Sequence, residues 1–256
     1  EAGGNSAKVR KEIEEALSVV LDQLSKLKKD ISTEAEIEAV ATISSTDPVL
    51  GKLVAAALTK TGKDGVVTVD EGKGFETTVE YKQGMEIDRG YLSPYFVTNQ
   101  DTVEATIDDP YILLTDKKLN YDYQVIPLLE KLASAKIRNL VIFASEVLDT
   151  ALAAFVVNHL RPDAPFQIIC VQAPAFGGRR IDELQDLAIL TGGVPLLEDS
   201  GRELESFEIS ELGRCEKIVS DRDKTIITGG KGKTEEIEKR ISHLREQIEI
   251  ANTDYD

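Results

Sequence analysis

Tryptophan is absent from this chain, methionine occurs once, and only 5% of its 256 residues are aromatic. Cysteine and histidine occur twice each. Cys170 and Cys215 make neither a disulfide framework nor a metal cluster, which favours a reducing compartment. His159 and His243 are far apart, without the short spacing a zinc site takes. No apolar run reaches the ~18 residues of a membrane-spanning helix. The opening Glu1-Ala2-Gly3-Gly4-Asn5-Ser6 leads into a charged helix, not into the apolar core of a signal peptide. Positive charge is scarce: 30 Lys and Arg stand against 46 Asp and Glu, a net charge of −16. Nucleic acid and anionic membrane surfaces both demand the opposite sign.

Catalytic signatures are missing too. There is no Gly-x-Ser-x-Gly elbow and no Gly-x-Gly-x-x-Gly fingerprint. Gly229-Gly230-Lys231-Gly232-Lys233-Thr234 looks at first like a phosphate loop, but the position where that loop needs its first glycine is Ile227. A glycine-rich turn with Thr234 as helix N-cap is the simpler reading. Gly177-Gly178-Arg179-Arg180 reads as a tight turn with solvated arginines, with anion binding at the next helix as the rival reading. No carboxylate pair stands out, so no catalytic residue, metal ligand or cofactor is assigned within the chain.

What is present is a globular composition, 41% hydrophobic and 30% charged, and a clear order of elements. Lys8 to Leu27 repeats Val9, Ile13, Leu17, Leu21, Leu24 and Leu27 at helical spacing, with Ser6 as N-cap. Thr33 caps a short helix through Ala39 or Val40. Asp47-Pro48 opens another that Gly62 stops. Gly65–Asp70 and Thr77–Lys82 read as strands. Beyond Gly90, strands are expected at Tyr111–Leu114, Leu140–Phe143, Gln167–Val171, Val194–Leu197, Lys217–Ser220 and Thr225–Thr228. Helices are expected at Tyr123–Ala135, Leu148–Leu160, Ile181–Leu190 and Thr234–Ala251. The pattern is that of a mixed α/β domain. Cys170, inside an apolar run, is a core residue.

Two helices carry more apolar surface than one packing face needs. In Tyr123–Ala135, Val125, Leu128 and Leu132 form one edge, and Ile126, Leu129 and Ala133 form another. In Leu148–Leu160 the apolar residues go all the way round. With Leu148, Ala151 and Phe155 turned to the core, Leu152, Val156 and Val157 point elsewhere. Their outer faces are either covered by other parts of the protein or form an open groove for apolar segments. Close by in the chain, Gly84–Phe96 gathers Tyr91, Tyr95 and Phe96 on a segment that Pro94 keeps out of a regular helix. Such rings plug a core or offer contact surface.

Glu86-Ile87-Asp88-Arg89-Gly90-Tyr91-Leu92-Ser93-Pro94-Tyr95-Phe96 resembles the signature of the group I, bacterial-type chaperonins. Marks of the same family follow in order: Thr42-Ile43-Ser44, Gly51-Lys52-Leu53, Gly65–Val69, Leu113–Lys118, Ala151-Leu152-Ala153, Val156-Val157-Asn158, Ala173–Gly177 with Arg179-Arg180, and Leu190–Gly193. The resemblance covers essentially the whole chain, as the middle part of the longer family chain. It implies a remnant equatorial helix at 1–28, a first intermediate-domain segment at 29–83 and an apical, polypeptide-binding domain at 84–256. It also implies that Tyr91, Tyr95, Phe96, Ile126, Leu129, Leu152, Val156 and Val157 bind unfolded polypeptides and the co-chaperonin lid. By the same resemblance, Gly84 is a hinge and Arg89 an intersubunit residue. The parent would be an ATP- and magnesium-dependent foldase of stacked seven-membered rings, in the cytoplasm or an organelle matrix. The family's Gly-Asp-Gly-Thr-Thr phosphate motif is missing here, as is the returning intermediate segment with its catalytic aspartate. An ATP-independent binding fragment is therefore expected. The alternatives are a nucleotide-binding enzyme using Gly229–Thr234 and a scaffold domain that binds nothing.

Overall fold

A computed structural model of the chain describes residues 6–31, 33–62, 67, 77, 79, 81, 84–163 and 166–250. The expected strands at Gly65–Asp70 and Thr77–Lys82 fall largely on residues outside that set. The chain divides into two units, Glu1–Glu80 and Tyr81–Asp256.

The first unit is helical: α1 (Ser6–Leu27), α2 (Glu34–Ser45) and α3 (Pro48–Thr61). Their ends obey the local chemistry of the sequence. Thr33 Oγ1 accepts the Glu36 amide at 3.3 Å, and the Glu36 carboxylate returns to the Thr33 amide, closing a capping box. Asp47 Oδ1 accepts the amides of Val49 and Leu50, with Pro48 at the first helical position. α2 runs on to Ser45, past the expected Val40, and ends at Thr46 in a left-handed conformation. α2 and α3 pack together. The apolar stripe of α1, from Val9 to Leu27, is exposed.

The second unit is a mixed α/β domain. Its elements are β1 (Gly84–Ile87), β2 (Ala105–Asp108), β3 (Tyr111–Leu114), β4 (Lys118–Leu119), α4 (Asp122–Ser134), β5 (Asn139–Ala144), β6 (Glu146–Val147), α5 (Asp149–His159), β7 (Gln167–Gln172), α6 (Gly178–Thr191), β8 (Gly213–Arg214), β9 (Lys217–Ser220), β10 (Thr225–Thr228) and α7 (Thr234–Ile250). One sheet has the order β7-β5-β3-β8. Its first three strands are parallel, and Ile142 sits opposite both Leu113 and Cys170. The second sheet, β1-β10-β9-β2, is antiparallel throughout. β4 and β6 form a short parallel pair. β3, β5 and β7 are buried on both faces, which is why they read as continuous apolar runs and not as alternating ones.

Several expectations need correction. Val194–Leu197 is not a strand: Pro195 removes a donor, and only Leu196 makes a bridge, to Thr115. β1 and β2 carry little signal in the sequence, because Gly84–Ile87 is short and Ala105–Asp108 mixes apolar and polar residues. Gly84 lies in β1, opposite Thr228. A Cβ there would stand 2.5 Å from the Ile227 carbonyl oxygen, so this glycine allows close approach of β10. Thr234 is the first helical residue of α7, not its cap; the Lys233 carbonyl accepts the Ile237 amide at 3.1 Å. Cys170 is fully buried in β7, as expected.

Candidate functional site

The crossovers β3–α4–β5 and β5–α5–β7 step across the sheet in one direction. Right-handed connections therefore place α4 and α5 side by side on one face. Their first turns are stitched together. Thr150 Oγ1 accepts the Asp122 amide at 3.0 Å, and the Ala151 amide donates to the Asn120 carbonyl at 3.2 Å. Gln124 Oε1 accepts the amides of Asn120 and Tyr121, both at 2.9 Å. Between β6 and α5 only Leu148 is available to turn the chain. Asp149 adopts a left-handed φ of 47°, which aspartate tolerates better than most residues.

Beyond α5 comes the aromatic segment. β7 is an edge strand, and the chain from Tyr91 covers its free side: the Leu92 amide donates to the Cys170 carbonyl at 2.8 Å. Ser93 starts a single 3-10 turn, Pro94–Phe96. Phe96 has no exposure at all and meets the His159 ring edge-on, centroids 5.5 Å apart. Tyr95, its neighbour, is 63% exposed. Tyr91 is half-buried, with its hydroxyl donating to the Val103 carbonyl at 3.4 Å. The segment thus does both things its composition allows: Phe96 plugs the core and Tyr95 faces solvent.

Helical geometry decides which flank of each helix faces which neighbour. At about 100° per residue, the buried arc of α4 (Val125, Leu128, Leu129, Leu132) has Gln124 and Lys131 roughly 100° to one side and Ile126 and Ala133 roughly 100° to the other. Lys131 donates to the Phe207 carbonyl and lies over the Phe207 ring at 4.7 Å, so the 204–207 segment holds the first flank. α5 consequently lies along the Ile126–Ala133 flank. On α5 the buried residues are Ala151 and Phe155. Thr150 and Ala154 fall on the side that is bonded to α4, and Leu152, Val156 and His159 on the side that meets Phe96.

Helical geometry therefore divides the eight residues expected to line one groove between two shallow troughs, one on each side of α5. The first is walled by Ile126 and Ala133 of α4 and by Ala154 and Val157 of α5, with Leu129 as its floor. The second is walled by Leu152 and Val156 and by Tyr91 and Tyr95, with Phe96 as its floor. The floors are closed: Leu129 is 5% exposed and Phe96 has no exposure. Leu129 and Phe96 are core residues in this conformation, and the expectation of direct surface contact from them is corrected accordingly. The walls stay open. Val157 is 67% exposed, Ile126 is exposed, and Leu152 and Val156 are half-buried. Leu148, expected in the core, is exposed at the head of α5.

Residues to which the sequence assigns no role also belong here. Tyr121 and Tyr123 stack at 5.5 Å, and both are exposed at the head of α4. Two rings bracketing an aspartate at a helix start were a readable signal. Ala154 was counted among the apolar residues of its helix, but nothing in the periodicity marked it as the α4-facing wall.

Elsewhere the chain offers less. Arg89 is half-buried, its guanidinium donating to the Asp88 carbonyl at 2.8 Å. It lines a 250 Å³ hollow with Glu86, Asp88, Pro174 and Glu183. Burial and the nearby Asp186 push the Glu183 carboxyl above its usual range. Among the described residues no cluster has the makings of a metal site. The Gly229–Thr234 turn is shaped by packing: the Lys231 amide donates to Arg214 and the Gly232 amide to Leu190, at 3.0 and 2.8 Å. A Cβ on Gly232 would collide with the Ile189 carbonyl. Lys231 pairs with Glu216 and Lys233 with Glu236. These donors are engaged within the protein and do not converge on an anion. No helix among the described residues is long and apolar enough to cross a membrane. No protein-family model matches the chain.

Proposed function

We propose that this chain binds non-native polypeptides on the apolar surface around α5, without ATP, and that it is the substrate-binding portion of a group I chaperonin. One observation carries the reading. From Thr150 to Leu160, α5 contains no Asp, Glu, Lys or Arg, although 30% of the chain is charged. Its solvent face is Ala153, Val157 and Leu160, and both flanks continue into apolar walls. A water-facing helix normally carries charge on that side, and a contiguous apolar patch on a highly charged protein marks a contact surface. Trough walls of mixed shape favour burial of apolar area, at roughly 25 cal/mol per Å², over the reading of any one sequence. Many unrelated unfolded chains are suitable partners for such a surface. The net charge of −16 keeps the protein and its bound client soluble.

The same walls would serve a co-chaperonin lid, which releases the client by competing for them. ATP, magnesium and assembly into double seven-membered rings belong, on this reading, to the parent protein. So do the hinge role of Gly84 and the intersubunit role of Arg89. The setting is the reducing cytoplasm or an organelle matrix, in keeping with two free, buried cysteines.

The test is suppression of aggregation of a chemically unfolded client, followed by light scattering. Ile126→Glu and Val157→Glu each place a charge on an exposed wall. Each is expected to weaken client binding by about tenfold or more, because a buried, unpaired charge is costly. Unchanged suppression by the double variant would sink the proposal. ATP binding by titration calorimetry at micromolar affinity would favour the nucleotide-enzyme reading instead.

A further inference from the structure

The free edge of β7 is closed by two different devices. Residues 168 and 170 direct their backbone groups outward, away from β5. The Cys170 carbonyl is met by the Leu92 amide. The Ile168 amide instead donates to a side chain, His159 Nδ1, at 3.1 Å. That bond requires the neutral imidazole with Nδ1 unprotonated. The same ring is packed edge-on against the fully buried Phe96. One imidazole thus joins the end of α5, the sheet edge and the floor of the second trough.

We propose that His159 is an acid-sensitive latch: protonation takes away the acceptor for the Ile168 amide, loosens the end of α5 over Phe96, and opens the trough between α5 and Tyr91–Phe96. A proton on Nδ1 would point at the Ile168 N–H, and the buried edge amide would lose its partner. Neither arrangement survives without movement, because an unpartnered buried donor is expensive.

Burial already pulls the His159 pKa below its ordinary value, and a backbone hydrogen bond with Phe166 acts in the opposite sense. The elements around the ring bring no compensating charge. The aromatic segment offers Tyr91 and Tyr95, and β7 offers Cys170, whose thiol burial pushes well up. The adjoining charged side chains are Arg161, Asp163 and Arg138, and Arg138 is stacked on Phe166 at 4.7 Å. None of them enters the balance on His159. The sign follows: the native state holds its imidazole neutral, so the latch is fully closed above pH 6.5 and is released as pH falls below it.

The latch borders the trough proposed above to bind polypeptides, but its test does not depend on that reading. The test uses the whole chain, bis-ANS as the apolar probe, and pH from 7.5 to 4.5. The expected result is at least a twofold rise in bis-ANS fluorescence, with a midpoint below 6.5 that tracks the His159 imidazole resonance. His159→Asn keeps an acceptor oxygen near the position of Nδ1 but does not titrate, and it should remove the rise. His243→Gln should leave it, and Glu183, whose carboxyl burial also raises, is intact in all three proteins. A rise that persists in His159→Asn with the same midpoint overturns the proposal, as does a His159 midpoint at or above 6.5. The unmutated protein gives a second reading: hydrogen-exchange protection of the Ile168 amide should fall at least tenfold across this range. Unchanged protection overturns the latch even if the Asn variant misfolds.

Discussion

Phe96 and Tyr95 are adjacent in the chain and opposite in role. Phe96 is fully buried between α5 and β7, whereas Tyr95 lies open. Phe96→Ala is expected to destabilise the domain by about 3–5 kcal/mol through lost burial and a cavity. Tyr95→Ala should stay within about 0.5 kcal/mol. Urea unfolding of both variants checks this; comparable losses would contradict the assignment. Sequence alone presented three clustered rings and two readings, plug and contact surface. It could not divide them, because the division depends on which ring the last turn of α5 covers. Leu129 shows the same limit. Periodicity placed it on an outer edge of its helix, but no pattern within α4 reveals that a neighbouring helix closes that edge. A second residue-scale prediction concerns acid. Arg202 holds Glu211 through two bonds, of 2.7 and 2.9 Å, and the Glu208 amide adds a third, which together bring the Glu211 pKa down to about 2. Stability from this group is complete above its unfolded pKa near 4.5 and is lost as pH falls toward 2. Glu211→Gln should flatten that part of the stability-versus-pH curve, measured by thermal melts between pH 5 and 2. An undiminished slope would contradict it.

At the scale of elements, α5 is decisive because it is nearly featureless by periodicity. A helix that is apolar all round has no preferred face, so its sequence announced surplus surface but could not orient it. Orientation comes from its ends: Thr150 fixed to the start of α4, and His159 fixed to β7 and Phe96. Between them Ala151 sits fully buried where the helix comes closest to its support. Ala151→Leu should therefore cost about 1–3 kcal/mol by overpacking, while Ala153→Leu on the open face costs little. Chemical denaturation of the pair tests which face of α5 is down. The strong strands β3, β5 and β7 were legible as apolar runs because they are buried on both sides. β1, β2 and the short β4, β6 and β8 were not, since their pairing is decided by partners distant in sequence. Val194–Leu197 failed in the other direction: it has the composition of a strand, but Pro195 leaves only one residue able to bridge.

For the molecule as a whole, the mixed α/β class was readable, and so was the change of character along the chain, helices first and alternating strands and helices beyond Gly90. The hydrophobic core runs from Ile87 to Ile237, within the second unit. Residues 81–256 are therefore expected to fold alone, with amide resonances of the core strands matching those of the full chain; a collapsed spectrum would contradict this. On the proposed reading, the surface carries the function. On an acidic protein one helix carries no charge beyond its first residue, Asp149, and the troughs on either side of it are closed at the bottom and open at the rim. The most direct measurement is mapping of amide chemical-shift changes in the full chain when a permanently unfolded polypeptide is added. The account predicts that shifts concentrate on α5, on the Ile126–Ala133 flank of α4 and on Tyr91–Phe96, and that Val157→Glu reduces them. Shifts confined to Gly229–Thr234 or to α1, with α5 silent, would contradict it.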